Sequence, residues 1–317
     1  MTFQDWVQDS KNKIYAYGPR RGVRSAAFDF WGGFARRFCH TFSLDTEGTP
    51  IYEREWDVLV LLDTCRVDAL KSVRDEYGFL PDTIPSFTSL GSTSWEWMHD
   101  NFTEEYRDEI SRTAYVTANP HTRRFGDEFS IPPNAFELLD EVWKYEWDDE
   151  FSGNPPRPVT DRAIDVMRER DPDWLIVHYM QPHAPYPALD EYAPESARLL
   201  KGDDGAVWDL LQSGDLTVTD AWQAYLDNLR WVLDDVELLR SNVDADTFVV
   251  SSDHGEAFGE WGLYGHYRHV PLSVLKTVPW VELSATDSGE YEPYVEPQEV
   301  HVTDDEVEQR LSALGYR

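Results

Sequence analysis

Cysteine, lysine and long apolar runs are all scarce in this chain of 317 residues. Cys39 and Cys65 are the only cysteines. One disulfide is the most they could form, and a disulfide scaffold or a cysteine-rich zinc site is excluded. No run of about 18 apolar residues occurs, so no transmembrane helix is expected. The opening residues, Met1-Thr2-Phe3-Gln4-Asp5-Trp6, lack a basic start followed by an apolar stretch. They do not read as a secretory signal, and a cytoplasmic location is expected. Basic residues as a class are also short: 6 Lys and 22 Arg face 60 acidic residues, for a net charge of -32. A field this negative repels nucleic acid, so no nucleic-acid partner is expected. In concentrated salt the self-repulsion is screened while surface carboxylates keep their water. The composition therefore predicts a halophilic, haloarchaeal-type protein whose folding needs salt.

What is present is ordinary for a globular chain: 41% apolar and 14% aromatic residues, too many for disorder. Residues 1–50 stand apart from residues 51–317. Within 1–40, Lys11, Lys13, Arg20, Arg21, Arg24, Arg36 and Arg37 face only Asp5, Asp9 and Asp29. Aromatic residues are interleaved with them, among them Tyr15, Tyr17, Phe28, Phe30, Trp31, Phe34 and Phe38. This basic-aromatic extension either packs on the acidic body or makes peripheral contact with anionic lipid headgroups or an anionic substrate.

From residue 51 onward, strand and helix signals alternate. Short apolar runs at 58–62, 114–116, 174–179 and 247–251 read as buried strands. Periodic or helix-forming stretches at 66–76, 160–170, 219–240 and 304–313 read as helices, the last capped by Gly315. Residues 282–303 are acidic and proline-containing, and read as a surface excursion. Repeated strand–helix units predict a three-layer αβα sandwich with a mainly parallel central sheet. Ligands in such sheets bind beyond the carboxyl ends of the strands.

Three groups of chemically capable residues lie at such strand ends. Asp63 directly follows the strand 58–62, where a carboxylate can reach into the crevice and hold a metal. Taken alone, it reads equally as an aspartate at a helix N-terminus. Ser251-Ser252-Asp253-His254-Gly255-Glu256 follows the strand 247–251. It offers one oxygen and one nitrogen ligand, a set suited to Zn²⁺ or Mn²⁺; the bland alternative is a polar turn. His183 lies between two prolines after the strand 174–179, in a loop able to present its imidazole to an ester oxygen. A loop histidine with no task is the alternative.

Taken together, these segments resemble the sulfatase branch of the alkaline phosphatase superfamily. The resemblance is carried by Asp63 with Arg66 and Asp68, by the segment 178–186, by Ser251 through His266, and by His269-Val270-Pro271-Leu272. It runs over about residues 55–317 and implies an alkaline phosphatase-like fold. It also implies that Asp63, Asp253 and His254 bind one divalent metal ion, with Mn²⁺, Zn²⁺ and Ca²⁺ all open. His183 and His266 would touch the transferred group. The nucleophile would be a hydroxyl in the stretch 89–97, with Thr93 (also a metal ligand) ranked first, Ser92 second and Ser94 third. Arg66 and Asp68 read as structural support.

The chain departs from the family pattern in four places. No C/S-x-P-x-R motif, the site of formylglycine, is present. Thr64 follows Asp63 where sulfatases pair two aspartates. His266 stands where many carry lysine, and Trp261 where many carry histidine. The first two departures weaken formylglycine chemistry and move weight toward a Thr- or Ser-based phosphoesterase or transferase with one metal. The function expected is a metal-dependent hydrolase of a sulfate or phosphate ester of a small molecule, glycan or lipid that uses a Thr or Ser nucleophile. The alternatives are a phosphodiesterase or phospho-substituent transferase acting on lipid or glycan headgroups, and an inactive metal- or glycan-binding protein.

Overall fold

The computed structural model describes residues 3–42, 47–149, 152–197, 207–295, 297–298, 300 and 302–314. Its centre is a seven-stranded sheet in the order β2-β9-β6-β1-β5-β3-β4. The strands are β1 (Val58–Leu62), β2 (Ser86–Thr88), β3 (Thr113–Thr117), β4 (Leu138–Glu141), β5 (Trp174–Tyr179), β6 (Ala245–Ser251) and β9 (Thr277–Ala285). Strands β4, β3, β5, β1 and β6 run parallel, β9 pairs antiparallel with β6, and β2 pairs antiparallel with β9. A separate two-stranded ribbon joins β7 (Ala257–Phe258) to β8 (Tyr264–Gly265). Helices cover both faces of the sheet, which is the three-layer αβα arrangement expected from the alternation of segments.

Every side chain of β1 is buried. Each apolar residue so removed from water contributes roughly 1.5–3 kcal/mol, and this is why an unbroken Val-Leu-Val-Leu-Leu run becomes the central strand. Alternation sorts the strands onto two faces. Val58, Val60 and Leu62 pack with Val177 and Val250 beneath the helices Pro156–Arg170 and Val218–Arg240. Leu59 and Leu61 pack with Tyr115, Ile176 and Val249 beneath the helix Ser94–Asn101, which contributes Trp97 and Met98.

The four expected strands and four expected helices are all present, with ends shifted by a few residues. The stretch 66–76 is α-helical only over Val67–Val73 and ends in a 3₁₀ turn. Gly315 lies outside the described residues. Residues 282–285, expected in a surface excursion, instead close β9, because Val281, Leu283 and Ala285 face inward between exposed Glu282 and Ser284. Two polar residues at alternate positions made an edgeward strand look like a loop.

Residues 3–41 form a helical hairpin. The chain turns at Gly18, whose φ of 79° suits glycine, followed by Pro19. Trp6 Nε1 donates to Ala26 O at 3.1 Å across the two arms. Buried Lys13 ties the first arm to Asp29 of the second and, at 2.8 Å, to Asp209 of the helix Val207–Ser213. Burial alone would lower the pKa of Lys13, but the two carboxylates outweigh it and raise it. Among the described residues, no helix is long and apolar enough to cross a membrane.

Removing one partner of a buried ion pair leaves the other uncompensated. Lys13→Ala should therefore weaken the attachment of the hairpin by about 3 kcal/mol. Hydrogen exchange should show lost protection in residues 3–41 with the central sheet unchanged.

Candidate metal centre and nucleophile

Strand register brings the site together. Leu61 of β1 lies opposite His178 of β5 on one side and Ser251 of β6 on the other, while His178 lies opposite Thr117 of β3. Residues opposite one another share a face, and so do residues two further along. Two positions beyond Leu61, Ser251 and Thr117 stand Asp63, Asp253 and Asn119. The three side chains gather with His178 at the carboxyl ends of adjacent strands. All four residues are fully buried.

Each backbone that presents them is pinned. Thr64 adopts a left-handed φ of 66°, a costly conformation for a β-branched residue. It is held there by Tyr225, whose hydroxyl donates to Thr64 O at 2.8 Å and accepts from Arg66 N at 3.0 Å. Ser252 Oγ lies 2.6 Å from both Leu62 O and His254 O, knitting the ends of β1 and β6 together. A Cβ on Gly255 would sit 2.0 Å from Val274 O, so this turn passes too close to its neighbour for any side chain.

Histidine chemistry follows from the backbone. His254 Nδ1 lies 2.8 Å from Gly255 O, and His183 Nδ1 lies 2.6 Å from Ala184 O. A carbonyl can only accept, so Nδ1 carries a hydrogen in both rings and Nε2 is the nitrogen left to offer a ligand or proton-accepting lone pair in the neutral tautomer. His254 Nε2 faces Asp253 Oδ2 at 3.4 Å, Asp63 Oδ1 at 3.7 Å and Ser94 Oγ at 3.2 Å. His178 is fixed by Tyr115, whose hydroxyl lies 2.8 Å from its Nδ1. Its Nε2 is 3.6 Å from Asp63 Oδ2 and 3.7 Å from Asp253 Oδ2. Asn119 Nδ2 donates to Asp63 Oδ2 at 2.9 Å.

This set fits a metal ion. Two carboxylates fully removed from water repel one another and lack solvation, a cost that a cation removes. Asp253 Oδ2 and His178 Nε2 are buried without a hydrogen bond among the described residues. Ligand atoms of Asp63, His178 and Asp253 lie within 4.8 Å of one another. Four ligands at about 2.1 Å from Zn²⁺ would stand about 3.4 Å apart, in the range of the separations around His254 Nε2.

Beside this cluster lies a second one. His183, Glu256 and His266 offer ligand atoms within 4.8 Å of one another. The His266 ring is 4.6 Å from that of His254 and 5.4 Å from that of His183. Burial would lower the pKa of His266, but Glu256, 3.0 Å from Nδ1, raises it overall. Burial lowers that of His183 despite the pull of Asp63. Asn228 holds the His183 loop by donating to His183 O and Pro185 O at 3.0 and 2.8 Å.

The three hydroxyls have different places. Thr93 is the N-cap of the helix Ser94–Asn101, and its Oγ1 accepts from Glu96 N. Ser92 Oγ donates to Glu96 Oε2 at 2.6 Å. Ser94 Oγ is the one brought to the carboxylate–imidazole cluster, 3.1 Å from Asp63 Oδ2. Asn119, His178 and Glu256 join the site although the sequence reading assigned them no role there. Their signal was weak: a strand-end asparagine before proline, and two polar residues inside the recognised segments. Arg66 makes a bidentate pair with Asp68 at 2.9 and 2.7 Å and reaches Glu260, supporting the turn beneath the site. Outside the cluster, Arg268 stacks over Trp95 at 3.9 Å. Burial and the neighbouring cations Arg124 and Arg36 bring its pKa down to about 10.

A family model described as Sulfatase matches residues 95–284, more than half of the chain. No curated protein matches. The chain resembles the soluble domain of lipooligosaccharide phosphoethanolamine transferase A from Neisseria meningitidis, with 14% identity and a TM-score of 0.48, covering 81% of this chain and 86% of that one. It resembles the integral membrane form of that protein with 14% identity and a TM-score of 0.49, covering 78% of this chain and 51% of that one. The periplasmic domain of phosphoethanolamine transferase EptC from Campylobacter jejuni gives 16% identity and a TM-score of 0.36, covering 72% and 78%.

Asp253→Asn should remove a buried charge that the metal-free protein has to tolerate. With chelator present, the variant should melt no lower than the parent. The parent should gain about 2.7 kcal/mol from a divalent ion at 100 times its Kd, and the variant should gain far less. Thermal melts with and without Zn²⁺ or Mn²⁺ check both expectations.

Proposed function

Because the chain belongs to the sulfatase family, we propose that it moves a sulfuryl or phosphoryl group from an ester to Ser94 and then to an acceptor hydroxyl. The observation that carries this reading is the position of Ser94 Oγ, within 3.2 Å of both Asp63 and His254. Ser94 also opens a helix whose first N–H groups favour an anionic ester. Asp63, Asp253 and His254 would hold one divalent ion, with His178 at its edge. Mixed carboxylate and imidazole donors suit Zn²⁺ or Mn²⁺ better than Ca²⁺, which prefers oxygen alone. When bound, such an ion neutralises ester oxygens and makes a hydroxyl easier to ionise.

The chain's own groups supply the rest. Ser94 Oγ forms a bond to sulfur or phosphorus while the bond to the leaving oxygen breaks. The Ser94 proton has Asp63 Oδ2 and His254 Nε2 as nearby acceptors. His266, whose charged form Glu256 favours, donates a proton to the leaving oxygen. His183 contacts the oxygens of the transferred group. In the second half the acceptor hydroxyl attacks as the bond to Ser94 Oγ breaks, the acceptor's proton passes to His266, and Ser94 Oγ takes back its proton from the neighbouring Asp63 or His254. Water as acceptor makes the enzyme a hydrolase; an alcohol makes it a transferase.

The test uses p-nitrophenyl phosphate, bis-p-nitrophenyl phosphate and p-nitrophenyl sulfate in multimolar KCl with Zn²⁺, Mn²⁺ or Ca²⁺. Ser94→Ala should lower kcat by about 1,000-fold or more. Thr93→Ala should keep turnover and lose about 1 kcal/mol of stability as a removed N-cap. Adding glycerol separates transfer from hydrolysis by its product. Full activity in Ser94→Ala would return the nucleophile to Thr93 or Ser92, and no turnover of any ester would favour the binding-protein alternative.

A further inference from the structure

The second arm of the N-terminal hairpin is amphipathic the wrong way round for a helix packed on a protein. Its inner face meets the rim of the site. Ser25 donates to Gln212, Phe28 packs edge-on against Tyr264, Gly32 lies against the Tyr267 ring, and His40 packs on His269. Its outer face carries Phe30, Phe34, Phe38 and Phe42 at intervals of four residues, beside Trp31. These five side chains are between 44% and 62% exposed. Their rings follow one another, Trp31–Phe34 at 5.8 Å, Phe34–Phe38 at 6.1 Å and Phe38–Phe42 at 4.6 Å. Trp261, on the loop leading to His266, extends the ridge. It is 80% exposed and its carbonyl accepts from Trp31 Nε1 at 2.9 Å.

We propose that this ridge docks on a lipid bilayer bearing anionic headgroups. Charge selects the occupant. Between residues 19 and 41 the helix holds Arg20, Arg21, Arg24, Arg36 and Arg37 against one acid, Asp29, which is engaged by Lys13; of the five, Arg21 is paired with Asp215 of the body at 2.8 Å. The chain as a whole carries -32. A second copy would bring its acidic body with it, whereas an anionic membrane attracts this helix and repels the net-negative remainder of the chain, which favours this orientation. Aromatic side chains flanked by arginine are the composition that settles at the headgroup boundary. Docked this way, the rim residues Tyr264, Tyr267 and His269 lie at the bilayer surface, within reach of lipid headgroups. The docking does not depend on the proposed chemistry.

Flotation of the full chain with vesicles of phosphatidylcholine, with and without phosphatidylglycerol, tests the proposal by binding alone. The parent should float with the anionic vesicles. The exposed triple variant Phe30→Ser, Phe34→Ser, Phe38→Ser should partition at least about tenfold less. Arg36→Glu with Arg37→Glu should lose the preference for phosphatidylglycerol at low salt, and in multimolar KCl, where charge is screened, the aromatic residues should carry what binding remains. Sedimentation and turnover of a soluble ester should be the same in the triple variant as in the parent. A parent that floats with neither vesicle, a triple variant that floats as well as the parent, or a parent dimer that the triple variant dissolves would each overturn the proposal, the last in favour of a second copy.

Discussion

Two carboxylates placed side by side out of water set the terms for the rest of this structure. Asp63 and Asp253 are both fully buried at the ends of adjacent parallel strands. Charges in such a place are stable only when their surroundings compensate them. The surroundings are built accordingly. Asn119 donates to Asp63, Thr64 N and His254 N lie 3.3 and 2.9 Å from Asp253 Oδ1, and two imidazoles face the pair. Even so, Asp253 Oδ2 keeps no hydrogen bond among the described residues. The arrangement is short of positive charge by design of its donors, which is the condition a divalent ion satisfies.

The pins around the pair serve that constraint. Holding a carboxylate at a strained turn is affordable only if the neighbouring backbone cannot relax. Tyr225, Ser252 and the side-chain-free turn at Gly255 lock the ends of β1 and β6 from three directions. The helix Ser94–Asn101 is set the same way. Thr93 caps it, Glu96 gathers Ser92 N, Ser92 Oγ and His269 N, and Ser94 is left turned toward the cluster. One carboxylate thereby couples the start of the helix Ser94–Asn101 to the loop that follows His266.

Much of the fold was legible because burial writes itself into composition. The runs 58–62 and 174–179 are strands with the expected limits, since a strand covered on both faces needs apolar side chains throughout. Strand β9 was hidden because its outer half alternates with polar residues, and β2 and β4 were hidden because they are short and half-exposed. In the site, Asp63, Asp253, His254, His183 and His266 stood out because they follow such strands or lie in recognisable segments. Asn119, His178 and Glu256 did not, since each is an ordinary polar residue until the sheet places it. The ranking of the hydroxyls shows the same limit. Ser92, Thr93 and Ser94 are consecutive and chemically alike, and only the helix start distinguishes a cap from a group turned inward.

The sequence by itself determined the layer architecture, the family, the strand-end positions of the candidate ligands and the separate character of the basic-aromatic N-terminal segment. These rest on local pattern, which period, charge and spacing express directly. The tertiary structure decided the register that brings Asp63, Asn119, His178 and Asp253 to one point, the placing of Ser94 Oγ beside Asp63 while Thr93 caps the helix, and the outward aromatic ridge of the N-terminal helix. Each of these depends on contacts between residues far apart in the chain, such as 61 with 178 and 251 or 31 with 261. No local preference encodes such pairings, because a strand shifted by one residue has the same composition and presents the opposite face.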